Sequence, residues 1–357
     1  MSRPRGVWAV FVVLMLALSM GGMAKAEEKV YTWKLATTWA PTLVPFIDAP
    51  KDMVRMVEKM SRGRLLIEIV TSDKHKKPYG VLDMVKDGEY DMGHSAAYYY
   101  IKKDVTLAPL TTMPFGMLPY EQYAWFYYGG GMALMQEAYA GYGVLSFPGG
   151  STGNEMGGWF NKEINTLDDL KGLKMRIPGF GGMVMSELGV KVVNMPAVKL
   201  AGALKSGKLD ALEWVGPGMD IALGFHKIAK YYYSGWHEPA SEMQYLVNTA
   251  KYNELPEDLR EILRVAMKVT AYNMYIRLQH MHGEAWATMK KEYPNIVIKS
   301  FPISIMDAMR EANNKIIRRI SAKNPMFKKI IDSKRSYQET IRAWTKISDF
   351  LYLVESL

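Results

Sequence analysis

The chain has no cysteine among its 357 residues. That excludes disulfides, zinc–thiolate sites, iron–sulfur clusters and thiol nucleophiles, and leaves packing alone to hold the fold. Histidine is scarce at 6 residues. No His-Glu-x-x-His pair occurs, and His280 and His282 stand in neither i+3 nor i+4 register, which argues against a helical zinc site. No Ser-His-Asp or Cys-His arrangement of an activated nucleophile is apparent. Gly179-x-Gly181 begins like a dinucleotide fingerprint, but Val184 stands where the third glycine belongs, so a nicotinamide cofactor is not expected. There is no contiguous calcium loop. Nor is there a basic block interleaved with aromatics, so no nucleic-acid partner is expected.

One apolar run stands out, at the start. Arg3 and Arg5 precede about fourteen apolar residues, Val7 to Met20, and Ala24-Lys25-Ala26 follows with a small-x-small cleavage pattern. A spanning helix needs roughly twenty apolar residues, so residues 1–26 read as a signal peptide, cleaved near Ala26. Loss of Arg3, Arg5 and Lys25 takes the net charge from +9 to +6, a balance that favours anionic ligands only weakly. About 330 residues remain, more than one hydrophobic core usually serves, which favours two domains. Nine tryptophans and 12% aromatics suit a cleft that buries small molecules; core packing accounts for them equally well.

Along the chain, Tyr31–Ala36 alternates as a strand, a helix is expected from about Ala49 to Met60, and Leu65–Val70 is a second strand. This β-α-β order predicts a parallel sheet. Ser72 to Pro78 reads as a solvated loop. Met84-Val85-Lys86-Asp87-Gly88-Glu89-Tyr90-Asp91-Met92 is echoed by Ala203-Leu204-Lys205-Ser206-Gly207-Lys208-Leu209-Asp210-Ala211. Each copy is a helix end, a glycine stop and a strand announced by aspartate, which suggests two lobes built on one plan. The echo sets His94-Ser95 in one lobe against Glu213-Trp214 in the other, toward the carboxyl ends of parallel strands, where open α/β sheets bind ligands.

Gly149 to Gly153 is expected to be a flexible first crossing between lobes. Trp159 to Ile164 reads as an edge strand, Thr166–Leu170 as a capped turn of helix, and Leu173–Ile177 as a strand before a helix ending near Leu188. Leu246-Val247-Asn248 returns the chain to the first lobe, helices run from Glu257 to about Glu292, and Ile296–Ile298 adds a strand. The expected fold is α/β and two-lobed, with a cleft between the lobes and a long C-terminal helix. Residues 27–150 and about 241–300 form the first lobe, and 151–240 with about 301–325 the second; the C-terminal helix occupies 326–357. In that helix Tyr337, Ile341, Trp344, Ile347 and Leu351 make an apolar stripe that needs a partner, either its own lobe or a second subunit.

Arg176 ends a strand before a Gly-rich turn and a helix, where a guanidinium can grip a carboxylate bidentately and the helix N-terminus offers free N–H groups; an ordinary ion pair is the competing reading. Glu155, Glu213 and Glu238 each lie near a tryptophan and can supply hard oxygen ligands to Ca²⁺ or Na⁺, although exposed glutamates are common. His94 is either a cleft hydrogen-bonder or a satisfied core residue. Tyr98, Tyr99 and Tyr100 either cover a ligand or simply pack.

At these segments the sequence resembles the periplasmic solute-binding proteins of TRAP (tripartite ATP-independent periplasmic) transporters, over nearly the whole mature chain. The resemblance is carried by Gly93-His94-Ser95-Ala96-Ala97-Tyr98-Tyr99, Met113-Pro114-Phe115-Gly116-Met117, Glu155-Met156-Gly157-Gly158-Trp159-Phe160, Leu170-Lys171-Gly172-Leu173-Lys174-Met175-Arg176 and, most specifically, Glu213-Trp214-Val215-Gly216-Pro217. It is nearest to the branch similar to 2-oxo-acid (pyruvate-type) and lactate binders. The resemblance implies that Arg176 pairs with the substrate carboxylate; Glu155, Trp214, His94 and Tyr98 are expected at the substrate as well. It implies a bridging metal cation, Ca²⁺ or Na⁺, held by Glu213, the Trp214 carbonyl, Glu238 and Glu155. The family pattern has glutamine where this chain has Glu155, a change that would favour Ca²⁺ over Na⁺ or alter which acid is accepted. It further implies a small organic acid as ligand, membrane permease subunits as partners, a periplasmic location and a homodimer made through the C-terminal helix. A periplasmic metal-dependent hydrolase and a sensory binding protein are the competing functions.

Overall fold

A computed structural model describes residues 28–193 and 195–356; the expected signal peptide, residues 1–26, lies outside them. Among the described residues, no helix is long and apolar enough to cross a membrane. Eleven strands are present: β1 (Tyr31–Thr37), β2 (Leu65–Val70), β3 (Met92–Ser95), β4 (Val144–Ser151), β5 (Gly158–Phe160), β6 (Lys174–Arg176), β7 (Lys191–Val193), β8 (Ala211–Leu212), β9 (Tyr231–Tyr233), β10 (Glu242–Asn248) and β11 (Val297–Lys299). They form two sheets, in the orders β2-β1-β3-β10-β4 and β11-β9-β5-β8-β6-β7.

The two sheets share a plan. In the first, β1 lies parallel to β2 and β3, and β10 runs antiparallel between β3 and β4. In the second, β6 lies parallel to β7 and β8, and β5 runs antiparallel between β8 and β9. The sequence echo falls on matching places. Gly88 and Gly207 both take left-handed φ, 74° and 71°, a conformation nearly free of cost only for glycine. The aspartate that follows then fastens the same strand in each copy. Lys34 N–H donates to Asp91 Oδ2 at 2.8 Å and Lys174 N–H to Asp210 Oδ2 at 2.9 Å. The reciprocal bonds, Asp91 N–H to the Lys34 carbonyl and Asp210 N–H to the Lys174 carbonyl, measure 3.1 and 2.8 Å.

Several expectations are corrected. Gly149, Gly150 and Ser151 are not a flexible crossing: they end β4, in register with β10. The crossing begins at Thr152. Gly150 is required where it is because its φ is +131° and a side chain there would run into Met274. Trp159-Phe160 is not an edge but lies inside the second sheet, flanked by β8 and β9, as suits two fully buried aromatics. The late strand, β11, joins the second sheet through β9 rather than the first lobe. Ser72–His75 is one helical turn.

Helices bind the two sheets together. Glu257–Glu292 is a single 36-residue helix. Its buried stripe of Leu259, Leu263, Ala266, Met267, Thr270, Ala271, Met274 and Leu278 keeps the i, i+3, i+4 spacing of one face. It packs on β4 and Asp48–Met60 on the side of the first sheet, and on Pro217–Leu223 on the side of the second. The crossings also pair with each other: Thr152 N–H bonds the Ser241 carbonyl and Glu155 N–H the Glu238 carbonyl, both at 3.0 Å.

The C-terminal helix runs over Pro325–Thr345, where it buries Phe327, Ile330, Ile331 and Lys334, and continues through the wider turn Lys346–Phe350 into Leu351–Ser356. Lys334 Nζ donates to the Pro109 carbonyl at 2.7 Å and to Gln122 Oε1 at 2.8 Å. Gln122 in turn donates to the Thr111 and Ala240 carbonyls, which ties this helix to the second crossing. Beside it, Glu242 Oε1 accepts from Gly149 and Gly150 N–H.

Burial pushes the Glu242 carboxyl up to about 8 and draws the Lys334 ammonium down to about 7. The folded chain therefore keeps a proton on Glu242 after the unfolded chain has lost it. Stability contributed by this group is present below its ordinary 4.5 and is lost as pH rises toward about 8. Replacing Glu242 by Gln keeps a neutral acceptor in place. The loss of urea stability between about pH 5 and about pH 7, below the range where Lys334 adds the opposite trend, is expected to be smaller in E242Q than in wild type.

Candidate functional site

The end of β6 and the loop after β8 build the centre of the site. Arg176 closes β6, and Glu213 follows β8, the two segments being joined where Glu213 N–H meets the Arg176 carbonyl at 2.9 Å. The guanidinium folds back on the same residue: Nη1 donates to the Glu213 carbonyl at 2.6 Å and to Oε2 at 3.1 Å. Its Cζ lies 5.0 Å from the centre of the Trp214 ring, a cation–π contact strengthened by the exclusion of water.

The crossings bring up the other acids. Glu155 accepts from Thr152 Oγ at 2.6 Å, and Glu238 accepts from Ser241 Oγ. His237, between Trp236 and Glu238, sets Nε2 3.5 Å from Glu213 Oε1. One donor atom from each of Glu155, Glu213, His237 and Glu238 lies within 4.8 Å of the others, so a single ion could reach all four. Arg176 and these four side chains are at most 3% exposed; the site is shut away from solvent.

So much like charge at such depth shifts the titrations. Burial, then Glu238 and Glu213, holds the Glu155 carboxyl well above the usual range. Burial, then Glu213, lifts Glu238 to about 7. For His237, burial opposes the charged ring, but Glu213 and Glu238 outweigh it and the pKa is raised. Polar atoms are also left over. Among the described residues, Arg176 Nε, Glu213 Oε1, Trp214 Nε1, Trp236 Nε1 and both His237 nitrogens are buried without a partner. A buried polar atom costs about 1–3 kcal/mol when unmatched, so their concentration here marks a place built to be filled. The donor set fits a cation: three carboxylates and one imidazole.

Of the residues singled out from the sequence, Arg176, Glu155, Glu213, Trp214 and Glu238 meet here. Tyr98 stands beside them, with Tyr98 Cβ and Glu238 Oε1 both flanking Gly179. His94 does not join them in the same sense. Trp39 Nε1 donates to its Nδ1 at 2.8 Å and its Nε2 donates to the Gly149 carbonyl at 2.9 Å. Both nitrogens are spent on protein, which fixes the neutral tautomer, and burial lowers the pKa to about 4.

Sequence reasoning missed three residues. His237 directly precedes Glu238, and a lone histidine in sequence carries no sign of a role. Asp220 accepts from Trp159 Nε1 and Tyr232 OH, both at 2.8 Å, and from Val215 and Gly216 N–H, so it pins the loop after Trp214; burial lifts its pKa to about 7. Tyr79, partly exposed and near enough to Arg176 to feel its charge, lies obliquely against Tyr99 at 4.8 Å, and no spacing pattern announces it.

Comparison with known proteins gives this geometry a context. The family model described as bacterial extracellular solute-binding protein, family 7 (DctP), matches residues 35–324. A monocarboxylate 2-oxoacid-binding periplasmic protein of Nostoc sp. is 39% identical over 321 residues, 90% of this chain and 87% of that one. A TRAP periplasmic solute-binding protein from Colwellia psychrerythraea, solved with bound calcium and pyruvate, superposes with a TM-score of 0.90 at 54% identity, covering 92% of this chain and 100% of that one. One from Pseudoalteromonas atlantica, with bound sodium and pyruvate, does so at 0.89 and 54%, with the same coverage. The chain belongs to family 7 of the bacterial extracellular solute-binding proteins, the DctP family, and has its two-lobed fold.

Proposed function

We propose that this chain is the extracytoplasmic solute-binding subunit of a TRAP transporter, capturing a small 2-oxo or 2-hydroxy monocarboxylate together with a cation and delivering it to membrane permease subunits. The observation that carries this reading is the buried convergence of Arg176 with Glu155, Glu213 and Glu238, ringed by unpartnered polar atoms. Relatives solved with pyruvate plus calcium or sodium support the ligand class. The leading segment of residues 1–26 would direct export to the periplasm.

The roles follow from charge. Arg176 has Nε and its remaining donors for the ligand carboxylate, a bidentate task suited to a planar fork. Once the three acids are ionised, Arg176 alone cannot balance them, and an organic anion would meet repulsion. A bound cation would supply the missing positive charge and bridge the acid's oxygens to Glu213, the Trp214 carbonyl, Glu238 and Glu155. Three carboxylates favour Ca²⁺ over Na⁺. Trp214 and Tyr98 wall the ligand, while His94 acts at a distance by holding Trp39 and the end of β4. We assign residues 28–151 and 242–292 to one lobe, 158–233 and 297–321 to the other, and the paired crossings to the hinge between them.

The C-terminal helix supports a homodimer. Tyr337 and Ile341 are half-buried against the chain's own body. Trp344 and Ile347, by contrast, are 62% and 66% exposed, and Phe350, Tyr352 and Leu353 continue the apolar surface, more than an isolated monomer usually leaves in one place.

Three outcomes test this reading. Arg176→Lys keeps the charge beside Glu213 but loses the fork; pyruvate affinity in calorimetry is expected to fall at least about tenfold, with the melting profile little changed. Stripping the cation with chelator is expected to abolish pyruvate binding, and Ca²⁺ to restore it more effectively than Na⁺; binding that persists in chelator would leave a plain arginine–carboxylate binder. Replacing Trp344 and Ile347 together by glutamate is expected to give a folded monomer in analytical ultracentrifugation.

A further inference from the structure

His237 is a fully buried imidazole with no hydrogen-bond partner on either nitrogen among the described residues. Its Nε2 faces Glu213 Oε1, which is equally unpartnered, at 3.5 Å. That is an ion-pair distance beyond the roughly 2.7–3.2 Å of a formed N–H···O bond, so the contact leaves both atoms free to take an ion between them. It is close to the separation of two atoms that bind one ion from different sides, since ligand bonds of about 2.0–2.2 Å leave neighbouring donors some 3–3.5 Å apart. The ring is also fixed. Trp236 lies 5.4 Å away on one side, and Gly181 packs so closely that a side chain there would come within 3.1 Å of His237 Cβ.

We propose that His237, through Nε2, is a protein ligand of the cation, and that its nitrogen extends the site from the all-oxygen ions to a divalent transition ion such as Mn²⁺, bound more tightly than Ca²⁺. This rests on the function proposed above. Ca²⁺ and Na⁺ are served by oxygen donors alone and gain little from imidazole, whereas imidazole adds affinity for first-row divalent ions, of which Mn²⁺ gains least and serves as the paramagnetic probe. Three carboxylates with one imidazole make a mixed set in which the nitrogen decides the order of preference. The organic acid's oxygens then complete the shell on the side of Arg176.

The test uses the full mature protein loaded with Mn²⁺ and pyruvate. Pulsed electron paramagnetic resonance is expected to show ¹⁴N modulation from a coordinated imidazole, changed to the ¹⁵N pattern when the protein is made with ¹⁵N-histidine, and lost in His237→Gln. In competition titrations H237Q is expected to weaken Mn²⁺ at least about tenfold and Ca²⁺ by less than about threefold, reversing or erasing the Mn²⁺ preference. Mn²⁺ bound without nitrogen modulation would overturn the proposal, as would equal weakening of both ions in H237Q, which would make His237 a positioning residue for Glu213. The wild-type spectra decide the matter even where H237Q does not fold. Failure of the parent reading looks different: wild-type protein would then bind pyruvate with no dependence on any cation.

Discussion

Arg176 and Glu213 hold each other in a place from which neither can reach water. Both side chains are buried to the last few per cent, and the guanidinium is clamped by the carbonyl and carboxylate of the same glutamate. Two charges so deep are expensive to desolvate, and such a pair rarely raises stability over an apolar substitute. Its value lies in what it makes obligatory. The strand carrying Arg176 and the strand feeding Glu213 must stay in register, Trp214 must lie under the guanidinium, and Asp220 must pin the loop that follows. The ends of β6 and β8 are thereby fixed before any ligand arrives, as a preorganised binding site requires.

Glu155 and Glu238 come to this centre from elsewhere. They sit on the two crossing segments, which bond to each other through Glu155 N–H and the Glu238 carbonyl. Tyr98 comes from the first sheet's side, after β3. The site is thus assembled from both sheets and from the joint between them, and it exists complete only when all three are together. Binding energy from a ligand that touches every part is energy available to the closed arrangement, since a ligand favours whichever state it contacts more. Capture of a small acid can in this way be converted into a change of shape.

Much of this was legible in the sequence, and the limits were physical. The β-α-β start, the capped turn at Thr166–Leu170 and the twofold echo were readable because period, caps and glycine stops are local. The echo proved structural down to the Lys34–Asp91 and Lys174–Asp210 pairs. The glycines at 149 and 150 misled because glycine marks both flexible chain and close packing, and only the contact with Met274 separates the two. β11 misled because a three-residue strand carries no sign of which sheet it will join. Among the site residues, the acids were found through their segments. The two histidines differ in burial and hydrogen bonding, which are tertiary facts: His94, expected at the ligand, is satisfied by Trp39 and Gly149, and His237 is bare.

The C-terminal helix adds a last consequence, for it is not an appendage. Lys334 reaches the second crossing through Gln122, Gln338 donates to the Phe115 carbonyl, and Arg342 donates to the Gly116 carbonyl. Phe115, held at a left-handed φ of 60°, gives its N–H to the carbonyl of Trp236, the residue just before His237 and Glu238. A bulky residue in that conformation is costly and persists only where its surroundings dictate it. Here they do so from both sides, the helix holding its carbonyl and the crossing holding its amide. The helix that presents Trp344 and Ile347 outward is therefore bonded, through one strained residue, to the chain that presents Glu238 inward. Any shift of the crossing on ligand capture must be absorbed by Phe115 or carried into the helix, and its two backbone bonds leave it little room to absorb.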